Sequence, residues 1–222
     1  MTTIPVRQAD AKVLDSPTSM AYERLRRMIV QLDLPPGTAL TEPALVERLG
    51  IGRTPVREAL RRLADERLLV IFPRRGMVVA HLGLTEVQQL FEARLTIEGE
   101  TAALAAARAT SHDDAHLIHH SDAVHAAQDD GSFAAFLEAD QALHRAIAEV
   151  ARNGFLEETA GRILTLNAWL WGAQMTRYGI NADDYASHDA IMAAIAVRDA
   201  AGARRAMVAH IERSRELLRV TL

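Results

Sequence analysis

Three histidines and an aspartate of this chain fall where apolar residues are expected. From Ser132 to Ala151 an apolar stripe at helical spacing runs Phe133, Leu137, Ile147, Ala151, and Asp140 and His144 lie on that same stripe. A carboxylate on a core face is costly unless it is paired or coordinates a metal. At i and i+4 the two side chains are one turn apart and can share one ion. The next-to-last helical segment carries His188 on the stripe Tyr185, His188, Met192, Ile195, and the last carries His210 on Ala203, Met207, His210, Ser214, Leu217. A lone inward histidine is more often a hydrogen-bonded core residue than a ligand, and an aspartate paired with one reads also as a buried ion pair. Four of them, on the core stripes of three helices in one small bundle, read as a metal site. Three imidazoles and one carboxylate suit Zn, Ni, Co, Mn or Fe and leave room for exchangeable ligands on a six-coordinate ion.

Two further polar residues point inward. Arg94 lies on the stripe Leu90, Arg94, Ile97, Thr101, and Asn167 on Leu156, Ala160, Ile163, Asn167, Leu170. Beside a metal they suit a small organic acid as effector, with arginine forking onto its carboxylate. The plainer readings are a salt bridge from Arg94 to an acidic residue inside the bundle and a structural hydrogen bond at Asn167. His112, His116, His119, His120 and His125 crowd another segment, but the acids and amides around them mark a solvated face. An Asp/His3 site with an open position could also serve a metal-dependent hydrolase. A hydrolase needs a general acid or base near the ion, and the stripes offer no further inward carboxylate or histidine.

A second chemistry sits near the N-terminus. Gly52-Arg53-Thr54-Pro55-Val56-Arg57-Glu58-Ala59-Leu60 places Arg53 and Arg57 on one face at the start of a short amphipathic helix. A helix that meets DNA end-first needs its side chains there, where they reach base edges and phosphates. A helix expected from Leu40 to Leu49 precedes it, and Gly50-Ile51-Gly52 joins the two as a helix-turn-helix. The apolar runs 68–72 and 77–80 flank Pro73-Arg74-Arg75-Gly76 and read as a two-stranded wing, with Arg74 and Arg75 placed for phosphates or the minor groove.

These motifs resemble the winged helix-turn-helix of GntR-type bacterial transcription regulators. The resemblance runs through Leu34-Pro35-Pro36-Gly37, Leu49-Gly50-Ile51, Arg53 to Leu60, and Pro73 to Gly76. It implies DNA contacts at Arg53, Thr54, Arg57, Arg74 and Arg75. The chain departs from the family at Gly52, where Ser or Thr is usual, and at Pro43, where a phosphate-contacting arginine is frequent. Residues 85–222 resemble the helical ligand-binding (FCD) domain of the FadR-like branch, and six helices rather than seven point to its VanR-like subgroup. The resemblance implies a divalent metal on Asp140, His144, His188 and His210. Glu92-Ala93-Arg94 and Asn153 also match family positions. It further implies an effector-controlled regulator, most often a repressor.

The elements required to hold these residues follow from local signals. Ser16-Pro17-Thr18 starts a helix and Pro35-Pro36-Gly37 ends that region. The recognition helix is expected from Thr54 to Glu66. Six helices follow the linker 81–84, at about 85–109, 112–129, 132–151, 154–177, 183–198 and 200–220, with Thr85, Ser111 and Ser132 as N-caps. The fold expected is mainly α: a disordered arm over 1–17, a winged helix-turn-helix over 18–82, and an all-helical six-helix bundle over 83–222. The net charge of −4 hides an asymmetry. Residues 1–82 hold 13 Lys+Arg against 9 Asp+Glu, a net of +4, and residues 83–222 hold 12 against 20, a net of −8. Only the first module suits nucleic acid. The acidic second is the expected platform of a homodimer, which would read a near-palindromic double-stranded operator. No run of apolar residues is long enough for a membrane span, and the absence of cysteine suits a reducing cytoplasm.

Overall fold

The computed structural model describes residues 16–178 and 187–221, with side chains throughout except at 174–178 and 219–221. The arm expected over 1–17 lies outside the described residues, apart from Ser16 and Pro17, which open the first helix. The chain divides into two compact units, Met1–His81 and Leu82–Leu222.

In the first unit, helix α1 (Pro17–Val30) starts on the Ser16 hydroxyl, which accepts from the Ser19 amide, with Pro17 in the first turn. Strand β1 (Ala39–Leu40) follows, then α2 (Glu42–Leu49), α3 (Arg53–Asp65), β2 (Leu69–Phe72) and β3 (Gly76–Val79). The sequence placed Leu40 in a helix. Instead Thr41 is extended and stands at the N-cap position of α2 without a side-chain capping bond, Pro43 sits in that helix's first turn, and Ala39 and Leu40 pair with Val78 and Met77. The small antiparallel sheet therefore has the order β1-β3-β2. Gly50 ends α2 in the left-handed conformation at φ 65°, which a side chain would strain. That turn sets α3 across α1. Leu25 and Ile29 of α1 meet Val56, Leu60 and Leu63 of α3 in a core where each is at most 2% exposed. Burial of each such side chain contributes about 1.5–3 kcal/mol, and it holds the exposed face of α3 in place.

The second unit is built from α4 (Leu84–Arg108), α5 (Ser111–Asp129), α6 (Phe133–Val150), α7 (Gly154–Tyr178), α8 (Asp189–Ala196) and α9 (Ala200–Thr221). Helix α4 packs against α6, α7, α8 and α9 and so occupies the centre. At Gly99 an added Cβ would stand 3.3 Å from Val208 Cγ2, so the missing side chain lets α4 and α9 approach closely. The caps differ in part from expectation. Ser132 does cap α6. Thr110 rather than Ser111 caps α5, in a reciprocal capping box with Asp113. Gly83 rather than Thr85 precedes α4. The helix expected over 183–198 begins at Asp189, with His188 as its N-cap residue. Residues 183–186, including Tyr185, lie outside the described residues. The buried stripe there is His188, Ile191, Ile195, and Met192 is only half-buried. Among the described residues no helix is long and apolar enough to cross a membrane.

Candidate metal centre and nucleic-acid interface

The second unit brings Asp140, His144, His188 and His210 together. Each is buried, and one potential ligand atom from each lies within 4.8 Å of all the others. Helix α6 supplies the first two from one face, the N-cap of α8 supplies His188, and α9 supplies His210. His188 Nε2 stands 3.1 Å from Asp140 Oδ1 and 3.2 Å from His144 Nε2. The His210 ring lies 4.2 Å from that of His188, centre to centre. Two nitrogens each about 2.1 Å from one ion would be separated by about 3.0 Å at a right angle and about 3.4 Å at the tetrahedral angle. The observed 3.2 Å falls between these values. Without an ion the same contact is an N–H···N hydrogen bond between the two rings. His210 Nδ1 is buried with no hydrogen-bond partner among the described residues. The donor set, its spacing and the orphaned nitrogen all fit a divalent transition metal.

The electrostatics favour the deprotonated forms that ligands need at Asp140 and His210 but not at His144. Burial would raise Asp140, but His144, His188 and His210 outweigh it and hold its carboxyl well below the usual carboxylate range. Burial, reinforced by His188 and His144, pushes His210 well below its ordinary value, so it is neutral. His144 is also pulled down by burial, yet Glu98 and then Asp140 reverse the sign and its pKa is raised.

Arg94 and Asn167 also meet. Arg94 is 1% exposed, and its Nη1 donates to Asn167 Oδ1 at 2.8 Å. Its Nε donates to Glu98 Oε1 at 2.6 Å. This is the salt bridge inside the bundle, and it corrects the reading that no inward carboxylate remained. Glu98 is 2% exposed. The stripe drawn through Ile97 missed it, because the buried line continues from Arg94 to i+4, while Ile97 is only half-buried. An Arg and a Glu one turn apart on a buried helix face were the available signal. Glu98 sits on the Nδ1 side of His144, which makes it a partner of the ligand and not a base beside an ion. The five histidines of α5 include contacts such as His116 with Glu149 at 3.9 Å, and His116 remains exposed.

On the first unit, Arg53, Thr54 and Arg57 are all exposed at the N-terminal end of α3. The sequence did not show the partner of Arg57: Glu42 of α2 accepts from its Nε and Nη2 at 2.8 Å each, in a two-pronged pair. Arg57 holds Glu42 below its ordinary pKa through that hydrogen bond. Gly52 contributes no side-chain cap to α3. Arg74 and Arg75 are exposed in the wing turn, where the Arg75 amide donates to Phe72 O at 3.0 Å.

A winged helix-turn-helix with an arginine-bearing recognition helix, followed by a helical domain, is the architecture of a DNA-binding transcription regulator. The chain belongs to the GntR family of bacterial regulatory proteins, matched over residues 17–79, and carries an FCD domain over residues 89–213. It is 28% identical over 206 residues to the HTH-type transcriptional repressor RspR of Escherichia coli, covering 89% of this chain and 87% of that one. It is 33% identical over 84 residues to an HTH-type transcriptional regulator of Agrobacterium vitis, which is 38% of this chain and 49% of the relative. The chain thus spans about half the length of that relative. The solved structure of E. coli McbR/YncC superposes with a TM-score of 0.76 at 23% identity, over 91% of this chain and 97% of that one. The family is one of transcription regulators and not of enzymes.

Proposed function

We propose that this regulator is a homodimeric repressor whose operator binding is controlled by a small organic acid, bound at a divalent metal on Asp140, His144, His188 and His210. The convergence of those four ligand atoms within 4.8 Å in the buried centre of the helical unit carries the reading. The six described helices of that unit suit the VanR-like subgroup. Three imidazoles and one carboxylate hold Zn, Ni, Mn, Co or Fe and leave positions open. A bound ion would supply a fixed positive charge for a carboxylate. Arg94 carries five N–H groups, of which Glu98 and Asn167 take one each on Nε and Nη1, and its charge suits a carboxylate effector. Arg53, Thr54 and Arg57 enter the major groove of a near-palindromic operator, and Arg74 and Arg75 contact the backbone.

Control requires the effector to bind the DNA-bound and free states with different affinity. The experiment is elemental analysis of wild type and His188→Ala, followed by titration of the operator complex of each with mono- and dicarboxylates. Wild type should carry about one ion per chain, and at least one acid should shift operator affinity severalfold. A wild type that refuses added Zn, Ni and Mn would leave these residues as core hydrogen-bonders. A full acid response in His188→Ala would make the ion purely structural.

A further inference from the structure

Glu98 is bonded on two sides by groups of opposite duty. Its Oε2 lies 2.5 Å from His144 Nδ1. Its Oε1 accepts from Arg94 Nε at 2.6 Å, while Arg94 Nη2 stands 3.5 Å from Oε2. Arg94, whose guanidinium is always charged, is ion-paired with Glu98 in the buried centre of the unit, and that pairing keeps Glu98 ionised. An ionised carboxylate only accepts hydrogen bonds. The short contact therefore requires the proton on Nδ1 of His144. In a neutral ring the lone pair is then on Nε2, the nitrogen that faces His188 Nε2 at 3.2 Å and Asp140 Oδ1 at 3.8 Å. The opposite tautomer would turn an N–H toward those ligands and block coordination. The carboxylate also makes the imidazole a stronger donor to a metal, since it stabilises positive charge on the ring.

Arg94 has a place in the same chain. A buried carboxylate without a cation is costly, and Arg94 neutralises Glu98 from the next turn of α4. Asn167 of α7 fixes the guanidinium in turn. The order from the centre outward is His144, Glu98, Arg94, Asn167, and α6, α4 and α7 each contribute to it.

We propose that Glu98 is a positioning residue of the metal centre, holding His144 as its Nδ1–H tautomer so that the Nε2 lone pair faces the ion. The proposal rests on the metal reading given above. The test is Glu98→Gln in the full-length protein, an exchange that keeps shape and removes the charge. Zn2+ affinity is measured by competition with a chromophoric chelator. The variant should bind Zn2+ roughly 10–100-fold more weakly than wild type, and Glu98→Asp should recover part of the loss. In 15N NMR of the wild type, His144 should show a protonated Nδ1 and a zinc-shifted Nε2. A Glu98→Gln variant that is less heat-stable yet binds Zn2+ as wild type does would reduce Glu98 to a packing role and overturn the proposal. Should that variant fail to fold, the wild-type spectrum decides: ligation through Nδ1, or a proton on Nε2, overturns it as well. Wild type that takes up no Zn2+ removes the metal reading itself, an outcome distinct from equal affinity in the two proteins.

Discussion

Arg74 occupies the third position of the wing turn with φ 64°. Glycine or asparagine is favoured there, because a side chain in the left-handed region crowds its own backbone. The same left-handed φ recurs at Leu32, Arg67, Arg152 and Arg198; the contact proposed for the exposed Arg74 side chain is DNA phosphate. Arg74→Gly should therefore separate two properties. The unfolding free energy should stay equal or rise by up to about 1 kcal/mol. Operator affinity should fall, and the slope of log K against log salt should shrink by about 0.9 for the lost phosphate contact. Equal affinity and slope in the variant would remove Arg74 from the interface. Arg57 differs, because Glu42 holds its guanidinium as a fork before any DNA arrives. A preorganised fork matches the paired acceptors of guanine. Arg57→Ala should cost roughly 1–3 kcal/mol on the operator and much less on unrelated DNA. Filter binding against both duplexes checks it, and an equal loss on both would make Arg57 a phosphate contact only.

At the scale of the helix, the capping box of α5 shows how local chemistry sets element ends. The Thr110 hydroxyl donates to Asp113 Oδ2 at 2.7 Å, as does the Thr110 amide, and Arg152 Nη2 donates to the same oxygen at 2.6 Å. The hydroxyl, then Arg152, then the amide hold Asp113 well below the usual carboxylate range. A depressed carboxyl stabilises the fold above its unfolded pKa of about 4 and loses that contribution as pH falls through the folded value. The unfolding free energy should thus drop as pH falls below about 5, and Asp113→Asn should flatten that part of the curve in acid titrations of unfolding. Unchanged pH dependence would show that the box is already open in solution. Thr110→Ala should cost about 0.5–2 kcal/mol at neutral pH by thermal melts. The box itself was missed from sequence because Ser111 offered the same cap chemistry one residue later. Helices with strong stripes, such as Phe133–Val150, were legible, and so were their inward Asp140 and His144. Strand β1 was not: two residues carry no periodicity, and their state is decided by pairing with Val78 and Met77. His188 was legible as an inward residue but not as a cap, because its stripe extended through Tyr185, which lies outside the described residues. Glu98 was hidden by its neighbour Ile97, which supplied the apolar residue that the stripe seemed to need.

For the whole molecule, the division into a basic and an acidic unit makes the metal's effect separable from DNA chemistry. A ligand that binds only the native state stabilises it by RT ln(1 + [L]/Kd), about 2.7 kcal/mol at a hundredfold excess over Kd. For a unit of this size that corresponds to a shift in midpoint on the order of 10 °C. The chain has two tryptophans, Trp169 and Trp171, and both lie in α7 of the second unit at 1% exposure. Tryptophan fluorescence therefore reports the unfolding of the second unit alone, whereas far-ultraviolet circular dichroism reports both. Added Zn2+ should raise the fluorescence midpoint, and a strong chelator should reverse the rise. His188→Ala should shrink it at the same Zn2+ concentration, since the three ligands that remain hold the ion more weakly than four. The circular dichroism curve should follow only in part, with the share from residues 17–79 unmoved. A zinc shift of undiminished size in His188→Ala would place the ion elsewhere, with the exposed histidines of α5 as the first candidates. No shift in wild type at saturating Zn2+ would mean that the four buried residues hold no metal in the native state.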